Sequence, residues 1–314
     1  MQKVKKIKVL ITSTSFQDTP GDHHEYLKSL NWKIDFLRGP LTAKKLISCI
    51  GNYNGVICGD DEINKEVIDV AKNGITQGIS KYGVGVDKID IDYAIERKMK
   101  VKNCPGINTA SVSEHVFGLL LAFKKNIHKE YNETKNGKWP RILGGEINGS
   151  NFGVLGLGNI GKKVAILARS FGCNVYFFDK SENKKFAKKN NLLQCDSIEE
   201  LFESIDIASI HINLNNENKG IISQNLIEKN TRPGIIIINT SRGKLVDESA
   251  IISGLRSKII SGYLADVLSE EPPNKNNQLL KCNNVIITSH IASKTIENVC
   301  NQGIMAINNL KEII

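Results

Sequence analysis

Short runs dense in isoleucine and valine alternate along this chain with longer stretches whose apolar residues recur at helical spacing. Repeated strand-then-helix alternation is how a parallel sheet is built, so the pattern predicts the α/β class. In the first third it predicts strands over 7–12, 55–58, 75–79 and 99–102, with helical segments between them: one small open-sheet domain.

The segment CPGINTASVSEHVFGLLLAF follows. Pro105 and Gly106 break the chain there, and Ser111 with Glu114 has the spacing of a capping box ahead of an apolar helix, which reads as a bridge between domains. Residues 124–150 are polar and glycine-bearing. A second alternating series then predicts strands over 152–155, 174–178, 207–211, 235–239, 261–265 and 285–288. Six such strands match a complete dinucleotide-binding sheet. The tail over 292–314 reads as one more helix, which could return to cover the first domain. No internal repeat and no low-complexity linker interrupts the series.

A length of 314 residues is comfortable for two domains, and two domains create a cleft for a ligand. The apolar share of 40% and charged share of 24% are those of a globular protein. Lysine and arginine exceed aspartate and glutamate by 42 to 33, but the excess is spread along the chain. A nucleic-acid partner needs a clustered basic patch and is not expected; the balance still suits a small anionic ligand. Seven cysteines without a CxxC pair predict a reducing compartment and offer no metal-ligand set. The N-terminal apolar run is too short for a signal peptide and no run approaches a membrane span, so a cytoplasmic protein is expected.

The first chemical signal is FGVLGLGNIGKKVAILARSFG. Gly156, Gly158 and Gly161 follow an apolar strand and open a helix: the first permits a tight turn, the second lets backbone approach a pyrophosphate, and the third lets helix pack on strand. The helix start offers its amides to the phosphates. Alone the spacing is weak, but the strand NVYFFD ends in Asp179, 23 residues beyond Gly156, where an acid grips the adenine ribose. An acid there disfavours a 2′-phosphate, so NAD is expected over NADP, with the adjacent Lys180 as a softening influence.

Three polar groups follow three strands of the second series: Arg242 after IIIIN, Glu271 after SGYLAD and His290 after VIITS. The carboxyl edge of an open parallel sheet is where ligands bind, so these can converge on one crevice. Oxidising an alcohol needs a base for the hydroxyl proton, and histidine suits it. A carboxylate beside the ring favours its protonated form, and a guanidinium grips a substrate carboxylate. Taken singly, each residue reads equally well as a surface arginine, a solvated acid and a core histidine. His211, also at a strand end, is the competing base. It lacks a carboxylate placed like Glu271, and a cofactor-side role fits it better. His115 on the apolar bridge reads as structural, and His23 and His24 as loop residues.

At these residues the chain resembles the D-isomer-specific 2-hydroxyacid dehydrogenase family over most of its length. ISKYGVGVDKIDIDYA is similar to that family's substrate loop, VLGLGNIGKKVA to its cofactor loop, and INTSRGKLVDE, DVLSEEPP and ITSHIAS to its Arg, Glu and His motifs. The resemblance implies that Arg242 binds substrate, that Glu271 supports His290, and that His290 gives or takes the proton. It further implies that Asn159 and Ile160 lie against the pyrophosphate, that Thr240 lines the nicotinamide side, and that Asp266 contacts the carboxamide. Tyr82, Gly83, Val84 and Gly85 would bind the substrate carboxylate, with Lys81 for a second anionic group.

The resemblance also implies two Rossmann-like or flavodoxin-like parallel-sheet domains with a cleft between them. The substrate-binding domain would comprise residues 1–103 and 291–314, the NAD-binding domain residues 104–290, and the protein would be a homodimer. The family's commonest pattern has arginine at position 159 and proline at 213 and 289, where this chain has Asn159, Asn213 and Ser289. With the last residue at Ile314, the short form without a regulatory domain is expected. The implied substrate is a small anionic 2-hydroxy or 2-oxo acid, with 3-phosphoglycerate first and glyoxylate, hydroxypyruvate or a D-lactate-type acid as alternatives. An NADH-sensing binding protein is the expectation from a different class, and phosphite oxidation a further one; the intact set of Arg, Glu and His favours an enzyme.

Overall fold

The computed structural model describes residues 6–181 and 183–314. They form two compact units, one of the described residues 6–108 with 293–314 and the other of the described residues within 109–292.

The first unit opens with β1 (Ile7–Ile11), α1 (Thr14–Asp18), α2 (Asp22–Ser29), β2 (Trp32–Phe36), α3 (Ala43–Ile47) and β3 (Gly55–Cys58). It continues with α4 (Lys65–Asn73), β4 (Gly78–Lys81), α5 (Ile91–Glu96) and β5 (Lys100–Lys102). The strands pair in the order β2-β1-β3-β4-β5, all parallel. β3 and β4 are buried at every position, as central strands covered on both faces must be.

The second unit begins with α6 (Thr109–Lys124) and α7 (Ile127–Lys135), then β6 (Asn151–Leu155), α8 (Asn159–Ser170), β7 (Asn174–Phe178), α9 (Lys184–Lys189) and β8 (Leu193–Gln194). α10 (Ile198–Ser204), β9 (Ile207–Ile210), α11 (Gln224–Asn230), β10 (Ile235–Asn239), α12 (Glu248–Arg256), β11 (Ile260–Ala265) and β12 (Val285–Ile287) complete it. Its sheet runs β12-β11-β10-β9-β6-β7-β8, again all parallel, with apolar clusters on its two faces. Strand order reverses between β6 and β9, and such a switch point leaves a crevice at the carboxyl edge. α13 (Ile296–Ile313) then returns to the first unit, where Ser80 donates to the Ala306 carbonyl at 2.8 Å and Leu310 joins the core.

Several expectations are corrected. β2 went unpredicted because Trp32-Lys33-Ile34-Asp35-Phe36 mixes charge into an edge strand with no fully buried residue. The second sheet has seven strands rather than six, the extra one being the two exposed residues of β8 at its edge. The strand expected over 75–79 lies at Gly78–Lys81, because the Thr76 hydroxyl bonds to the Ile50 and Tyr53 carbonyls and holds a turn there. Ser111 is the third residue of α6 and buried, so it forms no capping box. Within the polar stretch 124–150 lies α7. His23 and His24 belong to α2 rather than to a loop. The final helix starts at Ile296 instead of 292, where the Thr295 hydroxyl caps it by accepting from Asn298 N.

Candidate active site

The glycine loop sits at the switch point of the second sheet. Gly156 has φ +94°, and a Cβ there would lie 2.6 Å from the His211 carbonyl oxygen, so only glycine lets the ends of β6 and β9 pass this closely. A Cβ on Gly161 would fall 2.0 Å from the Gly156 carbonyl oxygen, which is how α8 seats against the turn. Gly158 differs: a Cβ there would meet nothing within 4 Å. It is also the N-cap of α8 and gives the helix no side-chain cap. Open space in front of uncapped amides fits a pyrophosphate.

Asp179 lies against this loop. Its Oδ2 accepts from Leu157 N and its Oδ1 from Ser181 N at 2.6 Å, so the end of β7 is tied to the turn it serves. Two orphaned polar atoms lie at strand ends of the same sheet edge, Thr240 Oγ1 after β10 and His211 Nδ1 after β9; both are shut from solvent without a hydrogen-bond partner. Part of the His211 residue reaches the surface, but its ring nitrogens are enclosed, and Nε2 meets Ser209 Oγ at 2.7 Å. Burial pushes its pKa down to about 3, so the ring is neutral and unsuited to serve as a proton-accepting base near pH 7. An orphaned hydroxyl and imidazole at the same sheet edge as the uncapped helix start are what a dinucleotide with amide and hydroxyl groups can satisfy.

At the same edge the chain brings Arg242, Glu271 and His290 together from three strand ends. His290 Nδ1 contacts Glu271 Oε2 at 2.7 Å, with the two side chains 42% and 37% exposed. Glu271 Oε1 accepts from Leu268 N at 2.9 Å. Burial opposes ionisation of Glu271, but the hydrogen bond and charge of His290, the Leu268 amide and the charge of Arg242 outweigh it and hold the carboxyl below its usual range. His290 has φ +55°, a conformation that costs about 1–3 kcal/mol in a non-glycine residue and that marks an over-determined position.

What determines it is Asp266, which is 1% exposed. Its Oδ1 accepts from the Thr288 hydroxyl at 2.6 Å and from Ile291 N at 2.8 Å, its Oδ2 accepts from Ala292 N at 2.8 Å, and its carbonyl accepts from His290 N at 2.9 Å. The Thr288 hydroxyl also meets His115 Nε2 at 2.9 Å. The Arg242 turn is held by the buried Asn239, whose Nδ2 donates to the Arg242 carbonyl at 2.9 Å and whose Oδ1 accepts from Ser241 N at 3.0 Å. Arg242 itself donates from Nη1 to the Ser241 carbonyl at 2.8 Å.

Sequence reasoning missed Asn239, Glu248 and the contact of His115. Glu248 accepts from Ser269 N at 2.8 Å through Oε1 and from Asn277 Nδ2 at 3.1 Å through Oε2, which fastens the segment carrying Glu271. A buried polar residue ending an otherwise apolar strand was the available signal for Asn239. Nothing in spacing alone pairs His115 with Thr288.

In the first unit, Lys81 ends β4 and Tyr82, Gly83, Val84 and Gly85 continue from it. Tyr82 N donates to Cys58 O at 2.8 Å, the Gly83 carbonyl accepts from Cys104 N at 2.8 Å, and the Val84 carbonyl accepts from Asn103 Nδ2 at 2.6 Å. The Lys81 ammonium lies 2.9 Å from Asp60 Oδ1 and 3.3 Å from the Tyr82 carbonyl oxygen. Among the described residues no group of three or more His, Cys, Asp or Glu could hold a metal ion.

Comparison with known proteins agrees with this edge chemistry. Residues 117–292 match the description "D-isomer specific 2-hydroxyacid dehydrogenase, NAD binding domain". The chain belongs to the D-isomer specific 2-hydroxyacid dehydrogenase family. NAD is the cofactor of the matched domain. A D-3-phosphoglycerate dehydrogenase of Archaeoglobus fulgidus is 33% identical over 90% of this chain and 53% of its own length. A glyoxylate reductase of Thermofilum pendens is 32% identical over 88% of this chain and 82% of its own. The crystal structure of the TT0316 protein of Thermus thermophilus superposes with a TM-score of 0.88 at 29% identity, covering 98% of this chain and 96% of that one. The chain spans about half the length of three of the phosphoglycerate dehydrogenase relatives it matches.

Proposed function

We propose that this chain interconverts a small D-2-hydroxy acid and its 2-oxo acid as an NAD-dependent oxidoreductase. The observation that carries this reading is the 2.7 Å contact of His290 Nδ1 with Glu271 Oε2 at the edge shared with Arg242 and the glycine loop. With Nδ1 committed to the carboxylate, His290 exchanges the substrate hydroxyl proton at Nε2. Glu271 orients the ring and stabilises its charge when it carries the proton. Arg242 holds the substrate carboxylate and polarises the carbonyl oxygen. NAD, when bound, accepts or returns the hydride.

The α8 amides with Gly158, Asn159 and Ile160 hold its pyrophosphate, Asp179 holds the ribose, Thr240 and Asp266 serve the nicotinamide side, and His211 lies on the cofactor side. The segment Tyr82–Gly85 takes the substrate carboxylate. An NADH absorbance assay with 3-phosphoglycerate, D-glycerate, glyoxylate, hydroxypyruvate and D-lactate-type acids tests the reading. Turnover that disappears in His290→Ala while NAD still binds supports it. Tight NADH binding with no turnover of any acid overturns it in favour of a sensor.

The protein acts as a homodimer in this proposal. Ile127, Tyr131, Trp139 and Leu143 are 53%, 59%, 79% and 92% exposed along one stretch of the second unit, an apolar display that a second copy would cover. Sedimentation at micromolar concentration should give twice the monomer mass. All seven cysteines are unpaired, which supports a cytoplasmic, reducing location. No described helix is long and apolar enough to cross a membrane.

A further inference from the structure

An ion pair between Lys81 and Asp60 lies at the carboxyl edge of the first sheet. The Lys81 side chain is 5% exposed, so its ammonium is drawn out of water, and its charged partner is Asp60, whose side chain is 70% exposed. Asp60 lies just beyond β3 in the turn Gly59-Asp60-Asp61-Glu62. The neighbouring Asp61 is fully buried and organises that turn: its carboxyl accepts from the Thr12 hydroxyl, from Gly59 N at 3.0 Å and from Leu41 N at 2.6 Å. Glu62 accepts from Ala43 N at 3.2 Å. These bonds fix the backbone on either side of Asp60 and hold its carboxylate where it neutralises Lys81.

The ammonium also stands beside the Gly83 backbone. A Cβ on Gly83 would lie 3.4 Å from Lys81 Nζ. An anionic group arriving at this point from a bound acid meets a lysine whose charge is already taken and, beside it, the Asp60 carboxylate. Like charges brought together at a partly desolvated site cost several kcal/mol of binding, whereas a hydroxyl or hydrogen at the same place pays no such cost.

We propose that Asp60 is a specificity-determining residue: by occupying Lys81 it selects 2-hydroxy acids whose far end is uncharged, such as D-glycerate, and discriminates against those bearing a distal phosphate. This rests on the reading of Lys81–Gly85 as the substrate loop. It revises the order of candidates, in which the family resemblance, with Lys81 as weak support, puts 3-phosphoglycerate first.

D-glycerate and 3-phosphoglycerate are identical at the reacting carbon and differ only in the far phosphate, so the ratio of their kcat/KM values reads the proposal directly. The wild-type protein should favour D-glycerate. Asp60→Asn, with Asp60→Ser as a second variant, should move the ratio towards 3-phosphoglycerate by about ten-fold or more. Wild type that prefers 3-phosphoglycerate, or variants with an unchanged ratio, would overturn the proposal.

A second arm needs no turnover. Inorganic phosphate is titrated calorimetrically into wild type and Asp60→Asn, and the variant should bind it at about ten-fold lower concentration or less. Equal binding overturns the proposal whether or not the enzyme is active. Absence of turnover with every acid speaks instead against the dehydrogenase reading.

Discussion

A Cβ placed on Gly243 would lie 1.9 Å from the carbonyl carbon of Leu268. The turn that carries Arg242 and the segment that carries Glu271 therefore meet backbone to backbone, with no room for a single methyl group. Gly243→Ala forces them apart. Because about 1 Å of misplacement costs on the order of 100-fold in rate, kcat/KM should fall by about that factor. Overpacking should also cost about 1–3 kcal/mol of stability, read in a urea melt. A variant with wild-type kinetics would show that the two segments need not touch.

Glu248 fastens the same segment from the other side through Ser269 and Asn277, and we expect it to act as a positioning residue for Glu271. Glu248→Ala leaves Ser269 N and Asn277 without their acceptor, and kcat should drop by at least about ten-fold with KM for NAD nearly constant. Glu248→Gln keeps one acceptor oxygen and should recover part of the loss. Equal melting points with equal kcat in the alanine variant would remove Glu248 from the argument.

Two glycines of one loop should respond in opposite ways. Gly158→Ala adds a Cβ to open space, so its melting temperature should match wild type while NAD binding weakens by about ten-fold or more, because the methyl group stands where the pyrophosphate approaches. Gly161→Ala adds one 2.0 Å from the Gly156 carbonyl oxygen and should lower the melting temperature itself. Thermal melts and NAD titration of the purified variants separate the two effects.

Acid should weaken the fold in two stages. His211 is held neutral down to about pH 3, while its ordinary value is 6.5, so the unfolded chain takes up a proton that the folded one refuses. Stability falls as pH drops from 6.5 towards 3. Glu271 is depressed below its ordinary 4.5, so its contribution is present above that value and is lost as pH falls through the lower folded value. In urea melts across pH 7 to 3, His211→Asn should flatten the decline between 6.5 and 4.5, and Glu271→Gln the decline below it. Superimposable curves for all three proteins would contradict both assignments.

The second sheet was legible because its central strands are buried runs dominated by isoleucine, and Arg242, Glu271 and His290 could be picked out by position because they follow β10, β11 and β12. β2 and β8 were not, since an edge strand faces water on one side and carries charge where a central strand carries isoleucine. The supporting shell was less legible still. Asp266 is assigned to the cofactor by family likeness; that three hydrogen bonds also tie its carboxylate to the segment 288–292 was not legible. Spacing reveals which residues reach one edge but not which of them are taken up in holding another.

The last helix carries a consequence for how the protein is made. α13 supplies Ala306, Ile307 and Leu310 to the core of the first unit, and its Val299 carbonyl accepts from the Tyr82 hydroxyl at 3.2 Å. A ribosome emits the five strands of that unit first and their cover last, after the whole of the second unit has emerged. The second unit can therefore fold during synthesis, while the Lys81–Gly85 segment waits for residues translated some two hundred positions later. The newborn chain is thus expected to gain its cofactor-holding half before its selectivity.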